Sequence, residues 1–451
     1  GPSVLRYEVA ADRDFRRVLH SGRVTARPDG DFTASVRVQS RRLRPATEYF
    51  YRFETASSHS PIGRFRTLPP RDSRQPVRIG FWTCQHYIAG YFTPHRALAR
   101  EDLDLVVCLG DYIYEYAEAA RIAGRADTIG PNGDGTAVSL ADYRAKYRLY
   151  RTDPDLRALH ERHALLYMWD DHEVLNNYWR EGAAGQTIDG FARRKADSYR
   201  AWFEHNPVPR IAGPDGTRIY RSVRVGDLVD VFLTDDRQYR DAQPCNDSFL
   251  VPCADTATPG RTMLGSAQKA WLKDGMKRSG AAWKVVANGD MLMGLDTPIP
   301  GAPKFVDTWD GYTAEREELV SFWLKEGIRD VVVMTGDDHD NYAGIVTTTG
   351  HQSGTAGAVE FVVPSVTSDN TSELIGGTDA GGILAETDAR AINPHLRYVD
   401  QRHHGYCVLE ASADALRVDF KHVSSRTDPA AGVSTAARYR VPRGRIELQA
   451  V

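Results

Sequence analysis

The sequence predicts an α/β core preceded by a small all-β unit. Three observations carry this. Short alternating runs of polar and apolar residues fill positions 4 to 68, longer buried-type apolar runs recur through the rest of the chain, and those later runs end in clusters of polar side chains. With 451 residues there is length for two or three ordinary domains, or for one large α/β domain with a small companion.

In the first unit "LRYEVA", "TASVRVQ", "EYFYRFET" and "GRFRTLP" read as strands, separated by "PDGD" and "RLRPATE". Runs of this length with turn residues between them suggest a small β-sandwich of the fibronectin or immunoglobulin kind, with Val4 already at the start or middle of its strand. The stretch "LPPRDSRQP" (68–76) reads as a linker, so the expected division is 1–70 and 71–451. Beyond it, buried strands are expected at 77–83, 104–109, 164–169, 229–234, 284–288, 330–335 and 359–363. An α/β core of this type puts its chemistry outside the carboxyl ends of its strands. Residues 405–422 alternate again and predict a closing antiparallel hairpin, whereas the Gly-rich loop 121–139 and the Gly/Thr/Asp-rich 367–392 are long enough to be functional lids or partly mobile.

Composition removes several function classes. A formal net charge of −3 without any Lys/Arg-rich run lacks the electrostatic footprint of a nucleic-acid binder. No window approaches the roughly 18 apolar residues of a membrane span, and "GPSVLRYEVA" has neither the charged nor the apolar region of a signal peptide. The expectation is a soluble, exported chain whose signal has been removed. Cys245 and Cys253 in "PCNDSFLVPC" are spaced for a short-loop disulfide, which favours an oxidising compartment. Cys108 and Cys407 lie inside apolar strands and read as inert core thiols.

Chemistry concentrates where strands end. "TCQHY" supplies Cys84 and His86, "GDYIY" supplies Asp111 and Tyr114, "MWDDHE" supplies Asp170 to Glu173, and "TGDDHD" supplies Asp337 to Asp340. Taken singly, an Asp after Gly is most often a turn residue or helix cap. Taken together, so many carboxylates at one sheet edge would repel one another and raise their pKa values unless cations lay between them. Two metals bridged by one carboxylate relieve that repulsion, clamp a phosphoryl group and generate a hydroxide nucleophile near neutral pH. A hard, highly charged ion stabilises tyrosinate, so Tyr114 is expected on one metal with Asp111 bridging both; Tyr112 and Tyr116 read as packing.

The order of "GDYIY", "DDHE" and "GDDH" resembles the calcineurin-like metallophosphoesterases. More closely, "TCQHYIAGYFTPHRALAREDLDLVVCLGDYIYEY", "WDDHEVLNNYW", "DDRQYRDAQPC", "RTMLGSAQKAWL" and "EFVVPSVTS" resemble the alkaline phosphatase D (PhoD-like) family, and "LRPATEYFYRF" is similar to its N-terminal domain. The resemblance implies an αββα metallophosphoesterase sandwich, export, and phosphoester hydrolysis at Fe3+ with Ca2+ partners. Carried over by position, it places Cys84, Asp111, Tyr114, Asp171, Asp337 and His339 around the metals, with Asp171 where related enzymes have Asn and Asp337 and His339 where they have two histidines; Asn177 is a further candidate to complete a calcium shell. Carboxylate in place of imidazole on the second site favours calcium over zinc. Asn176 reads as a turn cap.

The same resemblance gives His172 the role of proton donor to the leaving group. Arg237 in "DDRQYR" is expected either to hold phosphate oxygens bidentately or to pair with Asp235 or Asp236. His86 would add a ligand or an outer hydrogen bond, the position supplied by "WKVVANGDML" stays open between Asn288 and Asp290, and His395, His403 and His404 are loop residues that could face substrate. No G-x-S-x-G elbow is present, so hydroxide rather than a protein nucleophile is expected to attack phosphorus. Expected partners are a small-molecule or lipid phosphoester, with transient membrane-surface contact and a monomeric state. Tyr87, Tyr91, Phe92, Trp179, Trp202 and Trp309 are the candidates for an apolar lipid approach, with core packing as the plainer alternative. Two other readings stand beside a phosphodiesterase or alkaline phosphatase: a phospholipase D-like or lysophospholipid diesterase, and a calcium-stabilised binding protein.

Overall fold

A computed structural model describes residues 1–118, 120–211 and 216–451. The N-terminal region forms one four-stranded antiparallel sheet in the order Val18–Ala26, Ser3–Ala10, Glu48–Glu54, Gly63–Arg66. Its all-β character follows the alternating sequence, but the strand expected at "TASVRVQ" is not one. Residues 33–39 join no ladder, and Val18–Ala26 pairs with Ser3–Ala10 instead. The alternation there still has a physical meaning: Val36 and Val38 are half-buried while Ser35 and Arg37 are exposed. That segment faces Tyr7, Val9, Tyr51 and Phe53 across a cleft of about 530 Å³. It acts as a second layer without strand hydrogen bonds.

Two seven-stranded sheets make the larger part. One runs Arg221–Val225, Val229–Leu233, Trp283–Asn288, Val331–Thr335, Ala356–Val362, Asn341–Thr347, Leu396–Asp400; the other runs Gln449–Ala450, Val433–Pro442, Ala415–Val423, Gly405–Ala411, Val77–Trp82, Leu105–Cys108, Leu165–Tyr167. Parallel pairing links Val77–Trp82, Leu105–Cys108 and Leu165–Tyr167 in one sheet, and Val229–Leu233, Trp283–Asn288, Val331–Thr335 and Ala356–Val362 in the other. The seven strands read from apolar runs are all present, and so is the hairpin of Gly405–Ala411 with Ala415–Val423.

Side-chain alternation explains why both faces of these strands are apolar. Phe81, Val107, Val231, Val285 and Met334 fill the space between the sheets. Their neighbours Trp82, Val106 and Cys108 turn outward onto Tyr143, Tyr147, Leu156 and Trp202 of the helices Leu140–Tyr150, Pro154–Arg162 and Phe191–His205. Val286 and Val333 turn outward onto Leu272, Leu319 and Trp323 of Gly265–Arg278 and Thr313–Lys325. Helix, sheet, sheet, helix is the layer order. A parallel bridge between Thr83 and Ser365 joins the two sheets at the edge where the parallel strands end.

Of the two expected loops, 121–139 carries no helix or strand. Within 367–392, by contrast, lie the helices Thr371–Leu374 and Asp379–Ile392, started by an Asn370/Glu373 capping box and a Thr378 cap. Cys245 and Cys253 are joined by a disulfide, and Cys84, Cys108 and Cys407 are free and buried. Among the described residues no helix is long and apolar enough to cross a membrane.

Candidate metal centre

The chain turns sharply as each parallel strand finishes. Cys84, Asp111, Asn177, Asp337 and His339 all take left-handed φ values, from 52° to 70°. For non-glycine residues that conformation costs on the order of 1–3 kcal/mol each and persists only where its surroundings enforce it. Gly110 makes one of these turns at φ 113°, and a Cβ there would meet the Asp170 backbone nitrogen at 2.7 Å. Gly110→Ala is therefore expected to cost about 2 kcal/mol from the left-handed backbone alone. A urea midpoint equal to that of the parent would show that the two turns need not approach so closely.

Glu173 ties these turns together. Its carboxylate accepts from the backbone nitrogens of Asp111 at 3.0 Å, Tyr112 at 2.7 Å and Asp170 at 2.7 Å. Burial pushes its pKa up to about 8, against the pull of those backbone donors. Asp111 is thereby fixed with its two oxygens facing different partners. Oδ2 lies 3.3 Å from Cys84 Sγ and 3.1 Å from Tyr114 Oη, while Oδ1 accepts from the His172 backbone nitrogen at 3.3 Å.

On the Oδ2 side, Cys84, Asp111 and His339 each bring a ligand atom within 4.8 Å of the others. Tyr114 Oη is 3.3 Å from His339 Nε2 and accepts from Ser368 Oγ at 2.6 Å. His339 Nδ1 donates to the Asp369 carbonyl at 2.7 Å, which leaves the Nε2 lone pair facing the cluster. Burial, reinforced by Asp111, raises the Cys84 thiol and the Tyr114 phenol well above their ordinary values.

On the other side Asp111 meets Asp170, Asp171 and Asp337, and Asp290, Asp307 and Asp337 form an adjoining group. Burial raises Asp111, Asp170 and Asp290 well above the carboxylate range and Asp337 to about 7. Burial would raise Asp171 too, but His172 and Arg237 outweigh it and hold Asp171 low. Asp170 Oδ2 is buried without a hydrogen-bond partner, and the two Asp290 oxygens make no hydrogen bond but lie 3.0 Å from Arg237 Nη2 and 3.6 Å from Arg240 Nη1. Carboxylate oxygens without hydrogen bonds among crowded anions are the donor set that hard cations take, so these residues fit a metal.

His172 lies against this group with Nδ1 2.8 Å from Glu115 Oε2. Burial alone would lower its pKa, but the carboxylates of Asp171, Glu115 and Asp111 outweigh it and hold the imidazole well above its ordinary value. Tyr114 is sandwiched between the rings of His172 and His86, with centroids 4.0 and 4.4 Å away.

The model of the PhoD-like phosphatase matches residues 79–420, and that of the PhoD-like phosphatase N-terminal domain matches residues 2–69. The chain belongs to the PhoD-like phosphatase family. Alkaline phosphatase D of Bacillus subtilis (strain 168) is 33% identical over 454 residues, spanning 99% of this chain and 76% of that protein. A solved structure of PhoD matches with a TM-score of 0.89 at 31% identity, covering 100% of this chain and 85% of the other. Purple acid phosphatase PPD1 from yellow lupin (Lupinus luteus) seeds covers 98% of this chain and 70% of its own, with a TM-score of 0.56 at 10% identity, so the likeness there is one of fold. This PhoD-like chain is a phosphoric ester hydrolase with metal-binding residues.

Of the residues singled out in sequence, Cys84, Asp111, Tyr114, Asp171, Asp337 and His339 are brought together with His172. Asn177 lies beside Asp171, its backbone nitrogen 2.6 Å from Asp171 Oδ2, with its side-chain nitrogen donating to Asp247 Oδ2 at 2.6 Å. Arg237 departs from both expectations. Its guanidinium is 0% exposed, so it presents no face to a phosphate, and it does not pair with Asp235 or Asp236. Nε bonds Asp170, Nη1 bonds Asp307 Oδ2 at 2.5 Å, and Nη2 bonds Asp337 Oδ1 at 2.9 Å. Within this family member it serves as a counter-charge inside the acidic cluster.

The loop histidines are engaged elsewhere: His395 with the Gly294 carbonyl, His404 with Ser365 and Glu373, His403 with Asp400. Trp202, Trp309, Phe92, Tyr87 and Trp179 are core residues and do not line an approach for lipid. Asn176 donates its backbone nitrogen to Glu115 Oε1 at 2.7 Å. Glu115, Asp247 and Asp307 were not singled out as site residues, and Glu173 was read only as one of the strand-end carboxylates. Glu115 could have been found in "GDYIYEY", four positions after Asp111, whereas Asp307 in "KFVDTWD" carries no signal.

Proposed function

We propose that this chain is an exported phosphodiesterase with alkaline phosphatase character, acting at Fe3+ paired with Ca2+, with 1–70 as an accessory β domain and 71–451 as the catalytic domain. The observation that carries the reading is the split environment of Asp111. Its Oδ2 faces a thiol, a phenol and an imidazole, and its Oδ1 faces a side built from Asp170, Asp171 and Asp337. Cys84, Tyr114 and His339 would hold the ferric ion, and Asp171, Asp337 and Asn177 the calcium, with Asp111 shared. When bound, the metals supply charge neutralisation at phosphorus and the activation of water.

The rest falls to side chains. Glu115 fixes the tautomer of His172 by accepting from Nδ1, so Nε2 is the nitrogen that delivers a proton to the departing oxygen. Stacking on Tyr114 sets the plane of that ring. Arg237 balances the carboxylates behind the site, and Lys304 is held by Asp338 at 3.0 Å and Asp340 at 3.2 Å. With both cations committed to carboxylates, a singly charged diester is better suited to the site than a dianionic monoester. The disulfide between Cys245 and Cys253 supports export.

Elemental analysis of native protein, with assays on chromogenic diester and monoester substrates with and without a calcium chelator, tests this reading. The expected result is iron and calcium together, visible charge-transfer absorption that Tyr114→Phe diminishes, and diester turnover lost on chelation. Colourless, iron-free, active protein would overturn the ferric assignment. A monoester turned over faster than the diester would overturn the substrate preference.

A further inference from the structure

Away from the carboxylate-rich centre, three side chains meet at the end of the strand Leu396–Asp400. Asp400 closes that strand, His403 follows in the next turn, and His422 projects from Ala415–Val423 of the other sheet. Asp400 Oδ2 lies 2.8 Å from His403 Nδ1 and 3.8 Å from His422 Nδ1. One ligand atom from each residue falls within 4.8 Å of the other two. We propose that Asp400, His403 and His422 form an additional cation site for a borderline divalent ion of the Zn2+ class, separate from the centre around Asp111.

An ordinary ion pair would not need the arrangement behind His422. Asn341 Nδ2 donates to the carbonyls of Asp400 and His403, both at 3.0 Å. Since carbonyls only accept, the amide orientation is forced, and Asn341 Oδ1 faces His422 Nε2 at 2.9 Å. Nε2 must then carry the proton. The lone pair is left on Nδ1, the nitrogen turned toward Asp400. A buried imidazole whose far nitrogen is fixed by a hydrogen bond, leaving the near one free to donate, is the outer support that metal-bound histidines use.

Two imidazoles and one carboxylate suit zinc and its neighbours better than calcium, and three protein ligands leave a coordination position open. His422 is the fixed arm. His403 is the adjustable one: its side chain is 40% exposed, and its ring stacks on His422 at 4.9 Å, so it turns to bring its lone pair onto a shared ion. The neighbouring His404 takes no part, being held by Ser365 and Glu373. An ion here also steadies the rim of the catalytic centre. Gln401, between Asp400 and His403, donates to Asp340 Oδ2 at 3.1 Å and Tyr342 Oη at 2.8 Å, next to the turn that carries Asp337 and His339.

The test is calorimetric titration of Zn2+ into the holoenzyme, its catalytic metals in place, compared with His403→Ala and Asp400→Asn. His403 lies beyond the end of the strand Leu396–Asp400 and its side chain is 40% exposed, so its substitution is expected to leave the strands intact. The expected result is one more equivalent of Zn2+ bound by the parent than by either variant, or the same equivalent bound about 10–100-fold more weakly by the variants. Equal stoichiometry and affinity in all three proteins, including displacement of catalytic metals to the same extent, would overturn the site. So would a parent protein that takes up no Zn2+.

Discussion

His172→Ala lowers turnover of a phosphoester with a poor leaving group by about 10²–10⁴-fold, the range a positioned proton donor contributes, and alters turnover of an ester with an acidic leaving group far less. An alkoxide departing from phosphorus needs a proton as the bond breaks, whereas a nitrophenolate leaves without one. The position of His172 fits that task because Nδ1 is held by Glu115 Oε2 at 2.8 Å and the ring is clamped against Tyr114. Glu115→Gln preserves size but gives Nδ1 an amide instead of a carboxylate. It is expected to produce a smaller loss with the same dependence on leaving group. Steady-state rates on a pair of diesters differing only in leaving-group acidity decide the matter. Equal losses on both esters, or no loss on the harder one, would remove His172 from proton transfer.

Glu115 also shows how far the sequence could be read. Strands were legible because their faces are apolar on both sides, and the residues just after them were legible because polar clusters following apolar runs mark the chemical edge of an α/β sheet. Cys84, Asp111, Asp171, Asp337 and His339 fall under that rule. Asp307 does not, since it arrives from the loop between Asn288 and Thr313 and is recognisable only once Arg237 and Arg240 are seen to bind it. The charge argument likewise foresaw a need for cations among the carboxylates but did not foresee that a guanidinium would supply part of the compensation. Residues 33–39 show the opposite limit: their period-two pattern reported a half-buried face correctly, yet ladder pairing depends on a neighbour that no local pattern specifies. The region 367–392 misled because its Gly, Thr and Asp content reads as loop, although Asn370 with Glu373, and Thr378, are helix-start signals.

Removing the guanidinium of Arg237 carries the largest expected effect on stability. Arg237→Met strips the charge that bonds Asp170, Asp307 and Asp337 and lies 3.0 Å from Asp290 Oδ1, in a cluster that is buried except for the part-exposed Asp337. Breaking a buried ion network by deleting one partner costs about 3–5 kcal/mol, because the remaining charges stay desolvated and unpaired. Here the remainder is a set of carboxylates already pushed upward by burial, so the variant suits cations even more strongly than the parent does. Arg237→Lys is expected to recover only part of the loss, since one ammonium cannot reproduce a planar fork that reaches three carboxylates at once. Urea unfolding of the parent and both variants, in chelator and again in excess calcium, measures this directly. The deficit of Arg237→Met should be greatest in chelator and shrink when calcium is added, because the divalent ion and the guanidinium neutralise the same anions. A deficit of similar size in both media would mean that Arg237 and the metals act on separate carboxylates, and no deficit in either would mean that the cluster does not depend on its buried cation.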